Sequence, residues 1–588
     1  MTRAIGPRAG FAPHGAIGGW VLLASCWGTA GVFGLIWVAA RIAAWPTGGR
    51  VAPFGFDFAA DVVQGHTAAA WPGTPTALVV AVAVLLFTLT AAAIAAIVWA
   101  ILRRLPDPVD PVAALADNPG LAPLKPEAAA RKARQLRRSL ATAEKVEPRD
   151  IGLALGDLMH DGPTLYASWE DTVVAFMAPR SGKTTSQSIP YVLSAPGPVI
   201  ATSNKADLWA ATMQLRAEVG RVWLFDPQHI THQPQSWWWD PLFGLDTVED
   251  AHRLAGHFVL TVDDGHKRDL WGPAAQDLLT ALFLAAATSG RTLRDVAKWL
   301  DTPAVPTPVE LLEEAGFHLL ASSLRGAQNG AIETRDGIYQ TARTATKALR
   351  DEKIMSWVTP SDMPDFDPHD FASSRDTLYL LSKSRSAAAP LIAALTDTAM
   401  RAAEKHAERC GGRLDPPLVV PLDEAANICR IADLPELYSH LGSRGIVPVT
   451  ILQSYEQGVA VWGETGMAAL WGAATRKVIG AGVDSPRLAR DLATLIGQHD
   501  VPVRSISYHD GRPSEQISLR RQDILEPAAI RAMTPGTALL LATGGRAALI
   551  KLRPWYEGPD AEHIAACRDT AERLITQGAL NHPAGGIA

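Results

Sequence analysis

Cysteine is scarce in this sequence. Cys26, Cys410, Cys429 and Cys567 are the only four in 588 residues, and no two form a C-x-x-C pair. That spacing argues against a disulfide framework or a zinc site and fits a reducing compartment. Charge is also sparse. Charged residues make up 19% of the chain against 48% hydrophobic, an apolar lean that points to membrane segments. There is no basic excess: the net charge is −6 and the pI about 6.3. A global nucleic-acid footprint is therefore missing, and any such contact has to come from local patches.

The long uncharged runs lie near the N-terminus. Ala16 to Ala40 and Ala77 to Leu102 carry no charged side chain. About 20 apolar helical residues cross a bilayer core, so each run is long enough to span it. Trp20, Trp37 and Trp99 stand toward the ends, where indole rings favour the interface. The first run is too long for a signal-peptide core and is followed by Arg41 rather than by small residues. Arg3 and Arg8 precede it, and Arg41 and Arg50 of the connecting loop are balanced by Asp57 and Asp61. Arg103, Arg104, Lys125, Arg131, Lys132, Arg134, Arg137 and Arg138 follow the second run. This bias predicts an inner-membrane hairpin with both termini and the bulk of the chain in the cytoplasm. The piece "PDPVDPVAALADNPGLAPLKP" reads as a linker.

In "VVAFMAPRSGKTTSQSIPYVL" (173–193), Gly182, Lys183 and Thr184 fit the phosphate-loop pattern G-x-x-x-x-G-K-[ST], but Met177 stands where its first glycine belongs. Such a short motif occurs by chance, so its neighbourhood decides. Thr172 to Met177 is β-branched and apolar, a buried strand, and the residues after the loop continue as a helix. Strand, loop and helix in that order are what phosphate binding requires. The backbone of Ala178, Pro179, Arg180, Ser181, Gly182, Lys183, Thr184 and Thr185 would then hold ATP, with Lys183 as a point charge and Thr184 as a ligand to Mg²⁺. A turn fixed by Pro179 would replace the one the first glycine provides.

A second apolar strand, Leu418 to Leu422, ends in Asp423 and Glu424. Asp423 suits holding Mg²⁺, and Glu424 suits orienting or deprotonating the attacking water. Pro421 is unusual for a central strand because it removes a ladder donor. A third, "GIVPVTILQS" (445–454), ends in Gln453, either a γ-phosphate sensor or a cap for the next helix. Just before it, Arg444 on a Gly-flanked turn reads as an arginine finger for a neighbour's nucleotide or as a surface residue in a salt bridge. "PVIATS", "RVWLFDP", "DTLYLLS" and "ALLLAT" add strands, giving a mainly parallel sheet covered on both faces. Between "RVWLFDP" and "DTLYLLS" the pattern turns helical, which predicts an inserted all-α domain. There Arg343, Lys347 and Arg350 share one helical face, read as solvated in preference to a DNA or substrate contact.

The hairpin, the phosphate loop, "ATSNKADLW", "FDP" then "WWWDPL", the helical insertion, "LDEAANI", "ILQS" and "ISLRRQDILEPAAIRAMTPGTALLLATGGRAAL" follow one another in an order that resembles the type IV coupling proteins of the TraG/TraD kind. The resemblance implies a RecA-like ATPase, working as a hexamer, that moves single-stranded DNA with its attached relaxase or another secreted protein into a type IV secretion channel. By position it assigns Lys183 and Thr184 to the phosphate loop, Asp423 and Glu424 to the acidic pair, Gln453 to the glutamine motif and Arg444 to the arginine before it. It divides the chain into a membrane domain (1–102, spans about 16–40 and 77–102), a linker (103–150), the ATPase domain (151–245 and 370–556), the α-insertion (246–369) and a tail (557–588). Met177 departs from the family pattern, and so does the lack of a long acidic tail. Export of protein alone stays open. An FtsK-like double-stranded DNA translocase is the other alternative, although the tail, a short helix with a Gly/Pro end, is too small for a winged helix.

Overall fold

The computed structural model describes residues 14–104, 115, 119–159, 162–260, 271–384, 386–509 and 512–581. Arg3 and Arg8, Leu115 apart the Pro-rich stretch 105–118, and the Gly/Pro end 582–588 lie outside the described residues. The chain forms two compact units, residues 1–109 and 110–588.

In the first unit, helices His14–Thr47 and Thr76–Arg104 contain Trp27–Thr47 and Thr76–Ile97, both long and apolar enough to cross a membrane. The first helix passes the expected end at Ala40 and runs through Arg41, whose guanidinium lies over the Trp37 ring. The connection folds back on it: Trp37 Nε1 donates to the Ala52 carbonyl at 2.9 Å, and Phe58 and Trp71 pack with Ala40, Ala43 and Val79.

The second unit is built on one sheet of eleven strands. In chain order these are β1 (Leu153–Leu158), β2 (Thr164–Ala167), β3 (Val173–Phe176), β4 (Val199–Ser203), β5 (Val222–Phe225), β6 (Thr377–Leu381), β7 (Leu418–Leu422), β8 (Ile446–Leu452) and β9 (Arg476–Gly480). A separate hairpin of β10 (Gln498–His509) and β11 (Arg512–Asp523) precedes β12 (Thr537–Ala542) and β13 (Ala548–Lys551). The spatial order is β2-β1-β13-β12-β9-β3-β8-β7-β4-β6-β5. From β9 to β5 every pairing is parallel, whereas β12, β13, β1 and β2 form an antiparallel wing. Of the wing only β12 was legible from the sequence, as "ALLLAT"; β1 is broken by a register shift at Gly156, and β9, to which the wing is joined, opens on two cations.

Alternation along the strands fills both faces, as parallel strands require. Val174 and Phe176 of β3 enter one core; Val173, Ala175 and the following Met177 enter the other. Pro421 does lie in mid-sheet, in β7 between β8 and β4. Pairing to β4 is recorded at Val199↔Val419 and Thr202↔Leu422, flanking the position where the proline has no N–H.

Helices fill the chain between β5 and β6, from Val248–Val259 to Pro368–Ser373. Thr247 caps the first through Asp250 N, and Thr292 with Asp295 forms a capping box on Leu293–Asp301. The root of the insertion is aromatic. Trp237 donates to the Leu224 carbonyl at 2.9 Å and stacks among Trp223, Phe225, Trp357 and Phe366. The expected face of Arg343, Lys347 and Arg350 is not continuous. The helix ends at Ala345, a 3₁₀ turn carries Lys347–Arg350, and Arg343 and Arg350 both reach Asp301.

Candidate functional site

The strand order decides the site. Phosphate-loop strand β3 and acidic strand β7 are not neighbours; β8 lies between them. The three strands run parallel, so the loop after β3, Gln453 after β8, and Asp423 and Glu424 after β7 emerge side by side at one edge of the sheet. Sites in parallel α/β sheets form at this carboxyl edge.

Lys183 Nζ contacts Glu424 Oε1 and lies 3.6 Å from Asp423 Oδ1. The Thr184 hydroxyl donates to Asp423 Oδ2 at 2.9 Å, with the Ser188 hydroxyl 3.4 Å from the same oxygen. Gln453 Nε2 donates to both Glu424 oxygens, at 2.7 and 2.9 Å, and Asn427 Nδ2 to Oε2 at 2.5 Å. The cluster is deep: Asp423 is 2% and Glu424 5% exposed, so water screens these charges little. Burial pushes the Asp423 carboxyl above the usual carboxylate range, against the pull of Lys183 and the Thr184 hydroxyl. Burial likewise holds the Lys183 ammonium below its usual range, against Asp423. Asp423 Oδ1 accepts no hydrogen bond although it is buried. That oxygen, with the hydroxyl of Thr184, is the hard donor pair a divalent cation such as Mg²⁺ takes when phosphates complete its shell.

The backbone carries strain at two of these positions. Glu424 has φ 59°, in the left-handed region, and opens the turn Ala425–Ile428. In the loop, Arg180 (φ 64°) and Gly182 (φ 89°) make the bends, so the turn does not rest on Pro179 alone. Ser181 closes it by donating from Oγ to the Ala178 carbonyl at 2.7 Å. The first turn after the loop, Thr184–Ser188, is a π-helix, with Ile189 N donating to the Thr184 carbonyl. Pro190 follows at the start of the α-helical part, where it has no N–H to give.

Lys183, Thr184, Asp423, Glu424 and Gln453 therefore converge, and Ala178 to Thr185 form the loop beside them. Arg444 does not join them. It sits before β8, opposite the edge that carries Gln453, and seven strand residues at about 3.3 Å each separate the two ends. Its guanidinium faces Glu408 Oε1 at 3.2 Å and Glu404 Oε1 at 3.9 Å on the Ala389–Arg409 helix. Sequence reasoning missed Asn427, three residues after Glu424 in "DEAAN", where one turn brings it back onto the carboxylate. It also missed Thr202, whose hydroxyl donates to the Asp423 carbonyl at 2.9 Å across the β4–β7 boundary.

Residues 417–535 match a family model described as the TraM recognition site of TraD and TraG. The matched segment includes Asp423, Glu424, Arg444 and Gln453. Among solved structures, the bacterial conjugative coupling protein TrwBdeltaN70 in a trigonal form with sulphate is 18% identical. The match covers 71% of this chain and 93% of that one, with a TM-score of 0.50. Its unbound monoclinic form is also 18% identical, covering 72% and 91% at a TM-score of 0.49. Plasmid coupling protein TrwB in complex with ADP and Mg²⁺ is 16% identical, covering 71% and 94% at 0.49. No curated protein matches the chain. The segment bearing the acidic pair is TraG/TraD-like in sequence, and the fold is a RecA-like α/β core with an all-α insertion.

Proposed function

We propose that the chain is a membrane-anchored ATPase of the type IV coupling kind. It would use ATP and Mg²⁺ to drive single-stranded DNA, with a bound relaxase or other secreted protein, into a secretion channel. The observation that carries the ATPase part is the convergence of Lys183, Thr184, Asp423, Glu424 and Gln453 at one sheet edge. ATP–Mg²⁺ supplies the scissile phosphoanhydride and the charge that neutralises it. Lys183 is placed to turn from Glu424 toward the β- and γ-phosphates, whose charge competes for the same ammonium. Asp423 and Thr184 would supply oxygens to hold the cation. Glu424, kept in place by Gln453 and Asn427, is placed to orient the attacking water and take its proton.

DNA as cargo rests on the TraG/TraD-like segment and on the fold shared with a conjugative coupling protein. The family's hexamer and the domain boundaries at about 102, 150, 245, 369 and 556 belong to the same proposal. Binding of single-stranded DNA to the purified protein, measured against salt, separates this reading from export of protein alone.

The ATPase assignment has a two-variant test. Lys183→Ala is expected to lose both nucleotide binding and turnover. Glu424→Gln is expected to keep binding and lose at least a hundredfold in turnover, the scale of general-base catalysis. Wild-type hydrolysis by Glu424→Gln would remove this glutamate from the mechanism.

A further inference from the structure

We propose that Gly480 and Gly482, at the end of β9, are positioning residues that seat the phosphate loop, doing by their own smallness what the missing first glycine does in the usual pattern. The inference rests on reading the loop as a nucleotide site.

Met177 is still strand: its N–H donates to the Leu452 carbonyl at 2.9 Å, and its side chain is fully buried. Strand β9 runs parallel beside β3 with Ala175 opposite Val478 and Phe176 opposite Ile479. The next step of that register sets Met177 against Gly480. Residues abreast in parallel strands share a face, so the thioether occupies the space a side chain at 480 would fill. A Cβ on Gly480 would stand 3.0 Å from Met177 Cγ and 3.2 Å from Cε. Two residues on, Gly482 has φ +88°, and a Cβ there would come 2.5 Å from Cβ of Ala178, the first residue of the loop proper. That contact has no flexible end to give way, so the loop backbone would have to move. Gly482, Ala178 and Pro179 also line one cavity of about 210 Å³ with Gln453, so such a shift changes the space beside the acidic pair.

The sequence has thus exchanged sizes between neighbouring strands. Where the pattern puts glycine at the loop's start, this chain puts methionine and takes the glycine on β9. The height of the loop above the sheet is then set by β9, which is itself bonded to β12 of the antiparallel wing.

Four forms of the full chain in detergent test the exchange: wild type, Gly480→Val, Met177→Ala and the double variant. Overpacking at this contact is expected to weaken binding of fluorescently labelled ATP with Mg²⁺ roughly tenfold or more in Gly480→Val. It is also expected to speed hydrogen exchange of the amides between residues 177 and 185, measured without nucleotide. Adding Met177→Ala should return both readouts to about threefold of wild type. A role in bulk stability alone would speed exchange across the whole sheet together with the loop, whereas seating of the loop confines the faster exchange to residues 177–185. Unchanged exchange and binding in Gly480→Val, or a double variant no better than the single, overturns the proposal. Should wild type bind no labelled ATP, the nucleotide reading fails, and the exchange measurements still decide whether Gly480 seats the loop. If Gly480→Val does not fold, Gly480→Ala makes the same comparison with a smaller intrusion.

Discussion

Arg444 poses the sharpest question at the scale of a single residue. Its contacts with Glu404 and Glu408 are partly exposed, and pairs of that kind contribute about 0–1 kcal/mol, so stability hardly depends on them. Its position at the far end of β8 rules out a role in its own subunit's nucleotide site. If it acts in catalysis, it does so at a neighbour's site, exchanging these carboxylates for a γ-phosphate. On that reading Arg444→Ala melts close to wild type yet loses on the order of 10³ in turnover. Mixed with Lys183→Ala subunits it should regain part of the activity, because some interfaces then pair an intact loop with an intact arginine. Normal hydrolysis by Arg444→Ala alone would show that the residue is only a surface salt bridge. Glu424 and Arg180 belong to the same scale: each is a non-glycine residue in the left-handed region, a cost of about 1–2 kcal/mol, which at Glu424 the hydrogen bonds from Gln453 and Asn427 help to offset.

Between elements, one tie of the α-insertion to the core is a buried carboxylate. Asp397, on the Ala389–Arg409 core helix, accepts from His257 Nε2 at 3.2 Å and meets Arg253 Nε at 3.2 Å, both from the insertion's first helix. Arg401 of its own helix approaches at 3.0 Å and continues to Asp433, beyond the acidic pair. Burial alone would push the Asp397 carboxyl up, but His257, Arg401 and Arg253 together hold it below the usual carboxylate range. A carboxyl lowered by folding contributes stability above its unfolded value, near pH 4, and loses it as pH falls through the folded value beneath. Asp397→Asn should therefore cost about 1.5–3 kcal/mol at pH 7, since it removes the charge on which Arg253, His257 and Arg401 converge. In denaturant titrations the gap between variant and wild type should narrow below about pH 4. A gap that is constant from pH 7 to pH 3 would mean that packing, not charge, holds the joint.

At the scale of the whole molecule the testable matter is orientation. The two apolar helices have the length and composition to cross a bilayer, and the Lys/Arg bias of the sequence predicts their direction. Reporter fusions near residue 60 should read as outside the cytoplasm and fusions after Arg104 as inside. The reverse pattern would separate the nucleotide site from cytosolic ATP and sink the motor reading.

The individual strands from β3 to β8, the loop, the acidic pair and the helical character of the insertion were legible because each is a local signal. A run of β-branched residues, a glycine before Lys-Thr, or a 3.6-residue period needs no distant partner to be read. The pairing of the antiparallel wing and the placement of β8 between β3 and β7 were not legible, since pairing is a choice among strands far apart in sequence. Only that choice sets Gln453 between the loop and Glu424, sends Arg444 to the other end of the sheet, and lays Gly480 beside Met177. From sequence alone Met177 is a defect in a motif. In the fold it is half of a size exchange, because the space a methionine needs is defined by the strand packed next to it, some three hundred residues along the chain.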